Sequence, residues 1–402
     1  MFRGKEFLIA VPQNSEEAIR PDLLLLLTSY ADATQVTIAA SDGIFHETLT
    51  LRNDQTSSVS IPGSLELINK RISQKSLWVT STKDVSVVVT SSKSYTVGAT
   101  AVLPASMLGK EYYVVTPDDV AKTGLTEFAV VAWKEPSNVS IKIKGKIYFR
   151  GRIYRSGSVL SVLLSPYQSL QLQSENDLSG TKVTSDHPVA VLAGHTCMKV
   201  RSGCDYVVEQ LLPVSAWGKA YVVPPNPLQK AHDFIYVVAS KAASVSFHDG
   251  STASTKEMEA GEVKAFKTKP NSPFYVNSSA AIQVVFFFTG SRAYFVWQDP
   301  FLLTIPPISS YCASYRFSGL SSYYNYVLLT AKNSDTDAVV AQRKVTNGEW
   351  KEIPGTEFSW SMHILSDSDG SWSSVREDAT FGLLGFGFRN YEGYGFAGLC
   401  AT

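Results

Sequence analysis

Apolar and polar positions alternate with a period of two along most of this chain, and the alternating runs come in recurring pairs. An apolar stretch followed by an alternating one occurs at Leu23 to Thr28 then Val36-Thr37-Ile38, and at Phe128 to Trp133 then Val139-Ser140-Ile141-Lys142-Ile143. It recurs at Phe234 to Ala239 then Val245-Ser246-Phe247, and at Tyr326 to Thr330 then Val339-Val340. In the first three units a Ser-rich stretch, read as a turn, then introduces a further apolar strand: Val85 to Val89, Val189 to Leu192, Ile282 to Phe288. β-Branched and aromatic residues fill these runs, and Gly, Pro, Asn, Asp and Ser interrupt them roughly every 8–12 residues, which is the pattern of β-sandwiches. Helical periodicity is nearly absent.

A short signature opens each unit. Gly4-Lys5-Glu6-Phe7 leads into Ala10-Val11-Pro12-Gln13-Asn14, Gly109-Lys110-Glu111-Tyr112 into Val114-Val115-Thr116-Pro117, and Gly218-Lys219-Ala220-Tyr221 into Val222-Val223-Pro224-Pro225-Asn226. A looser copy, Tyr311-Cys312-Ala313-Ser314-Tyr315, opens the last segment. Leu103-Pro104 and Leu212-Pro213 precede the second and third signatures at one offset, and Ile305-Pro306 is taken as their equivalent before the fourth. The expectation is an all-β fold, a tandem array of four antiparallel Ig-like β-sandwich modules over residues 1–106, 107–215, 216–308 and 309–402. Units of roughly a hundred residues are long enough to bury their own cores, and the short linkers favour packed modules.

Composition narrows the partners. Thirty-six basic residues balance 36 acidic ones across 402 residues, which argues against nucleic acid, whose binders draw affinity from a basic excess. No apolar run approaches the roughly 18 residues a membrane-spanning helix needs. Met1-Phe2-Arg3-Gly4 does not read as a signal peptide, and the expectation is that any leader has been removed ahead of the first unit.

Four cysteines, Cys197, Cys204, Cys312 and Cys400, suit two disulfides: one clipping a short loop, one joining the first and last strands of the fourth unit. An even set placed in this way implies an oxidising compartment; four free buried thiols is the competing reading. Asn138-Val139-Ser140 and Asn277-Ser278-Ser279 are candidate glycosylation sequons, which lean toward secretion.

Catalytic chemistry finds little support. His195 near Cys197, with Asp186-His187 upstream, is the one set from which a nucleophile and base can be drawn, but a disulfide-bonded sulfur offers no thiolate. His195 is expected instead to order the clipped loop by hydrogen bonds. His248-Asp249-Gly250 reads as a type I′ hairpin turn. Asp367-Ser368-Asp369-Gly370 lacks the downstream ligands of a calcium loop and reads as a turn, and Pro117-Asp118-Asp119 reads as a capped turn rather than a calcium site. No cofactor fingerprint or metal motif is present, and the chain is read as no enzyme.

Two clusters remain as candidate binding surfaces. Alternation places Lys142, Lys144 and Lys146 on one solvent face, either a solvated strand or a contact for sulfated or sialylated glycans. Tyr311, Tyr315, Tyr323, Tyr324 and Tyr326 gather at the start of the last unit, with Tyr391 and Tyr394 near its end. Adjacent Tyr323 and Tyr324 face opposite sides of a strand. Tyr323, Tyr324 and Tyr394 are the candidate contacts, since exposed Tyr is a favoured interface anchor; packing of the fourth unit on the third is the alternative.

Gly194-His195-Thr196-Cys197 and the run from Cys204-Asp205-Tyr206 through Glu209-Gln210-Leu211-Leu212-Pro213 to Trp217-Gly218 resemble the N-terminal domain of the IgGFc-binding proteins. Glu357-Phe358-Ser359-Trp360 and the Gly-rich tail Phe381 to Phe388, followed by Tyr394-Gly395-Phe396-Ala397-Gly398, are similar to that family's closing motifs. The family's tail usually carries a proline before its last Ala-Gly, and this chain does not. The resemblance spans the whole chain. It implies a secreted, non-catalytic interaction or adhesion module within a larger multidomain mucus protein. Its partner is expected to be an extracellular protein, such as a mucus protein or an immunoglobulin-like one, with a mucin-type or sulfated glycan as the alternative. No residue here maps to an Fc contact from the motifs alone.

Overall fold

The computed structural model describes residues 2–15, 18–117, 122–199, 203–249, 251–293, 296–341 and 348–401. Strands make up almost all of its regular structure, and the helical elements among the described residues are five short 3-10 turns. The chain divides into two compact units, Phe2–Ala216 and Trp217–Thr402.

One pairing plan recurs three times. In the first sheet the 17-residue strand Leu77–Lys93 pairs through its first half with Thr34–Ala40 and Gly4–Ile9, and through its second half with Asp22–Ser29 and Thr96–Ala101. Lys182–Lys199 does the same with Ser137–Lys142 and Gly109–Tyr113, then with Thr126–Ala132 and Cys204–Gln210. Phe274–Phe288 repeats it with Ala243–His248 and Gly218–Val223, then with Phe234–Ala239 and Phe301–Thr304.

The Ser-rich stretches therefore are not turns. Each lies inside a continuous strand, at a register shift such as that between Thr184 and Val189, where a bulge bends the strand and exchanges one pair of neighbours for another. Pro188 sits at this bend, where no ladder hydrogen bond is forfeited. Two separate apolar cores follow in the first unit: one around Phe7, Leu25, Val36 and Val87, the other around Tyr112, Phe128, Ile141 and Val191.

The last segment departs from this plan. Ser314–Ser318 lies between Asp369–Ser374 and Leu399–Cys400 in one sheet, while Tyr324–Lys332 lies between Phe358–Leu365 and Phe381–Arg389 in another. Among the described residues no strand there serves both sheets.

The linker equivalence also shifts by one residue. Pro104 and Pro307 cap the 3-10 turns Ala105–Met107 and Ile308–Ser310, and Pro213 directly precedes Val214–Ala216. The counterpart of Pro104 and Pro213 is therefore Pro307, not Pro306, and Cys312 takes the place of Gly109 and Gly218. A side chain at Gly109 would put its Cβ 2.4 Å from Cβ of Pro213, and one at Gly218 2.3 Å from Cβ of Pro307. The signature glycine is thus required by the proline that stands five residues before the next signature position. At Cys312 the chain carries a disulfide instead.

Candidate interaction surface

Both cysteine pairs are bonded, Cys197 to Cys204 with Cα atoms 5.1 Å apart and Cys312 to Cys400 at 5.9 Å. His195 is buried, and its Nδ1 accepts a hydrogen bond from the backbone N–H of Cys197 at 3.1 Å. It orders the approach to the disulfide. Asp186 and His187 stand at the exposed bend of the same strand, where Asp186 accepts bonds from the backbone and side-chain amide of Asn138.

The family-like run after Cys204 is built into a buried seam within the first unit. Asp205 Oδ1 accepts from the backbone N–H of Val97 at 2.6 Å, Glu209 Oε2 from the Thr100 hydroxyl at 2.8 Å, and Gln210 Oε1 from Leu103 N–H at 2.9 Å. The Tyr206 hydroxyl donates to the carbonyl of Pro12 at 3.0 Å. The most recognisable residues therefore tie Cys204–Gln210 to the last strand of the first sheet. Further along, buried Lys93 pairs with buried Glu66 at 2.9 Å, and Glu66 accepts from the N–H of Asn14 at 2.7 Å. Gln173 bridges Gln13 and Glu127. Burial pushes the pKa of Glu127 well above the usual carboxylate range, against the bond from Gln173. Burial likewise raises that of Glu66, against the opposing pull of Lys93. Sequence reasoning missed these groups, because isolated polar residues in alternating strands give no sign that two sheets close over them.

Lys142, Lys144 and Lys146 are all exposed, but they do not share one strand. Ser137–Lys142 ends at Lys142, Gly145 turns with φ +81°, and Lys146–Phe149 begins a separate hairpin with Arg152–Arg155. Arg150 (φ 49°) and Gly151 (φ 76°) supply the two left-handed residues of its tight turn.

The tyrosines divide sharply. Tyr324 presents its ring with 64% exposure, while its neighbour Tyr323 is half-buried, bonded to Glu392 and covered by Arg389. Tyr394, expected at the surface, is fully buried: its hydroxyl accepts from Leu320 N–H and donates to Asn325. A hydroxyl next to an amide donor and an amide acceptor keeps its hydrogen bonds when buried, and Gly387, opposite Tyr394 on the paired strand, makes room for the ring: a Cβ there would lie 2.5 Å from it. Tyr315 and Tyr326 are also core residues. Near Glu392, burial and that residue's charge push Asp299 up to about 6.

The remaining motifs are structural. His248 pairs with Ala253, and between them Asp249 accepts from the backbone N–H groups of Ser251 and Thr252. Asp249 has no positive φ, so the type I′ reading does not hold; Gly250 lies outside the described residues. Asp369-Gly370 opens a strand and the bend precedes it. Asp118 and Asp119 lie outside the described residues. Asn138 and Asn277 are both exposed. Among the described residues no group of three or more His, Cys, Asp or Glu is placed to hold a metal, and no helix is long and apolar enough to cross a membrane.

These features define a disulfide-bonded, all-β protein in which the distinctive motifs build seams between sheets and the exposed hairpins and edges are left for contact. A family model described as IgGFc binding protein matches residues 98–387, and this chain belongs to that family. It is 35% identical over 401 residues to the IgGFc-binding protein of Homo sapiens, covering 98% of this chain and 7% of that relative's length. Among solved structures, the major pilin of Streptococcus pyogenes aligns over 98% of this chain and 99% of its own at 7% identity, with a TM-score of 0.17. A biofilm-associated BSP domain aligns over 100% of this chain and 97% of its own, also at 7% identity, with a TM-score of 0.15. Likeness at that level carries no argument.

Proposed function

We propose that this chain is a non-catalytic, extracellular protein-interaction or adhesion module. Family membership carries the reading, and two disulfides support an oxidising compartment. The human relative's name promises binding of IgG Fc, which makes the Fc fragment the first partner to test. We take the chain to be four sandwich modules within a longer secreted chain, with Asn138 and Asn277 as glycosylation sites and Tyr323 and Tyr324 at one contact region. Asn138 donates to Asp186 from the same side-chain nitrogen that a glycan would occupy, which leaves it one N–H for that bond.

The second reading, recognition of a sulfated or mucin-type glycan, rests on the exposed Lys142, Lys144 and Lys146. Biolayer interferometry with immobilised Fc, purified mucin and a heparin fragment separates the two. Binding of Fc or mucin protein that survives charge reversal at the three lysines supports the first; binding of heparin alone that charge reversal abolishes supports the second. No binding to any of them sinks both.

A further inference from the structure

Val159–Leu164 is the outermost strand of its sheet, paired on one side with Ser137–Lys142 and on the other with no strand among the described residues. Free strand edges invite pairing with foreign chains, so proteins ordinarily keep them short, polar or charged. The equivalent edge strands obey this: outward positions are His46, Thr48 and Thr50 in the first sheet and Ala253, Thr255 and Glu257 in the third. Here they are Val159, Ser161 and Leu163, with Val159 53% and Leu163 61% exposed.

The outward backbone groups of the same three residues have no strand partner among the described residues. Ile143 N–H bonds to Ser158 C=O, and inward-facing residues alternate in an antiparallel ladder. By that alternation Leu160, Val162 and Leu164 bond inward, while Val159, Ser161 and Leu163 point their N–H and C=O groups away.

Alongside lies a groove of about 480 Å³, lined by Val162 and Leu163 of the strand and by Phe149, Arg150 and Tyr154 of the hairpin. Tyr148 and Ile153 on that hairpin are exposed as well. Between Glu135 and Glu175 the chain holds six basic residues, Lys142, Lys144, Lys146, Arg150, Arg152 and Arg155, and no acidic one, within a chain of zero net charge. All six are exposed, and none forms an ion pair among the described residues.

From these features, and resting on the interaction-module reading, we infer that the Val159–Leu164 edge takes an extended acidic segment of a partner protein as an added strand. Backbone bonds come from Val159, Ser161 and Leu163, apolar side chains pack on Val159 and Leu163, and carboxylates meet the basic hairpin.

The probe is a fluorescent octapeptide of alternating valine and glutamate, with its valine–lysine counterpart as control, titrated into the whole chain. The acidic peptide is expected to bind saturably and the basic one not. Ser161→Pro removes one outward N–H and no internal bond, a substitution edge strands tolerate. It is expected to weaken binding at least tenfold while leaving the melting curve in place, as is Arg150→Glu with Arg152→Glu. If Ser161→Pro does not fold, Val159→Glu with Leu163→Glu makes the same test on exposed side chains. Equal binding by the variants, binding of both peptides, or competition by heparin that is indifferent to Ser161→Pro overturns the proposal. So does a dimer of the free chain that Ser161→Pro dissolves, which makes a second copy the occupant. Should Fc bind the chain while the acidic peptide does not, the edge proposal falls and the interaction-module reading stands.

Discussion

Tyr112 and Tyr221 each stand three residues after a signature glycine, and each hydroxyl accepts from that glycine's N–H, at 2.8 and 2.9 Å. The Tyr112 hydroxyl then donates to the carbonyl of Val189 at 2.6 Å, on the bent central strand. Tyr315 repeats the contact to Cys312 N–H at 3.0 Å, and Phe7 occupies the place without a hydroxyl. Tyr112→Phe leaves a buried donor and acceptor unpaired and is expected to cost about 2 kcal/mol, read from the urea midpoint. Gly109→Ala forces a methyl against Pro213 and is expected to cost about 1–3 kcal/mol. No loss on either change would show that the linker proline yields easily. Glu127 gives a pH signature. Its folded pKa lies above the ordinary 4.5, so its contribution is fully present below that value and is lost as pH rises through the folded one. Glu127→Gln keeps the neutral shape and is expected to melt increasingly above wild type from pH 5 to pH 8. Parallel curves would mean that the carboxyl is ionised at no cost.

At the scale of elements, strand type and order were legible because alternation and signature spacing repeat. What was not legible was continuity. Lys83-Asp84, Asp186-His187-Pro188 and Ser278-Ser279 carry the composition of turns, and only the paired neighbours reveal that the strand runs through them. Tyr394 failed for a related reason: its hydroxyl is held by Leu320 and Asn325, 74 and 69 residues earlier, a contact that local pattern does not encode. Cysteine arithmetic succeeded because one pair lies seven residues apart and the other brackets the last segment, which leaves few sensible pairings. The disulfides should differ in effect. Chain entropy predicts about 4 kcal/mol for Cys312–Cys400, whose partners are 88 residues apart, and less than about 3 kcal/mol for Cys197–Cys204, at a separation of 7. Cys312→Ser with Cys400→Ser is therefore expected to lower the melting temperature more than Cys197→Ser with Cys204→Ser. The reverse order would place the clip, with its buried His195, in the stabilising role.

For the molecule as a whole, the two compact units join their sheets in opposite ways. Within Trp217–Thr402 the seam is aromatic: Phe288 meets Phe388 at 5.1 Å, and Phe301 meets Phe386 at 5.9 Å and Phe388 at 5.8 Å. Within Phe2–Ala216 it is polar and partly shared backbone, since Arg71–Ser73, which precedes the central strand of the first sheet, pairs with Ser169–Ser174 of the second. Buried Glu66 and Lys93 are satisfied largely by groups on their own side of that seam, whereas Gln13, Asn69, Val97, Thr100 and Leu103 have partners across it. Removing one side of a hydrogen-bonded interior costs more than removing both, because each stranded donor or acceptor keeps its full desolvation penalty unless water reaches it. A fragment of residues 1–106 has its own apolar core, yet it loses the partner of Arg71–Ser73 and opens Glu66 and Lys93 to solvent. It is expected to show no cooperative melt, or one many degrees below that of residues 1–216, which should unfold in a single step. Calorimetry on the two fragments decides the matter. Equal transitions would make the seam dispensable and the modules autonomous beads, and separate steps within residues 1–216 would show that the shared strand does not couple them.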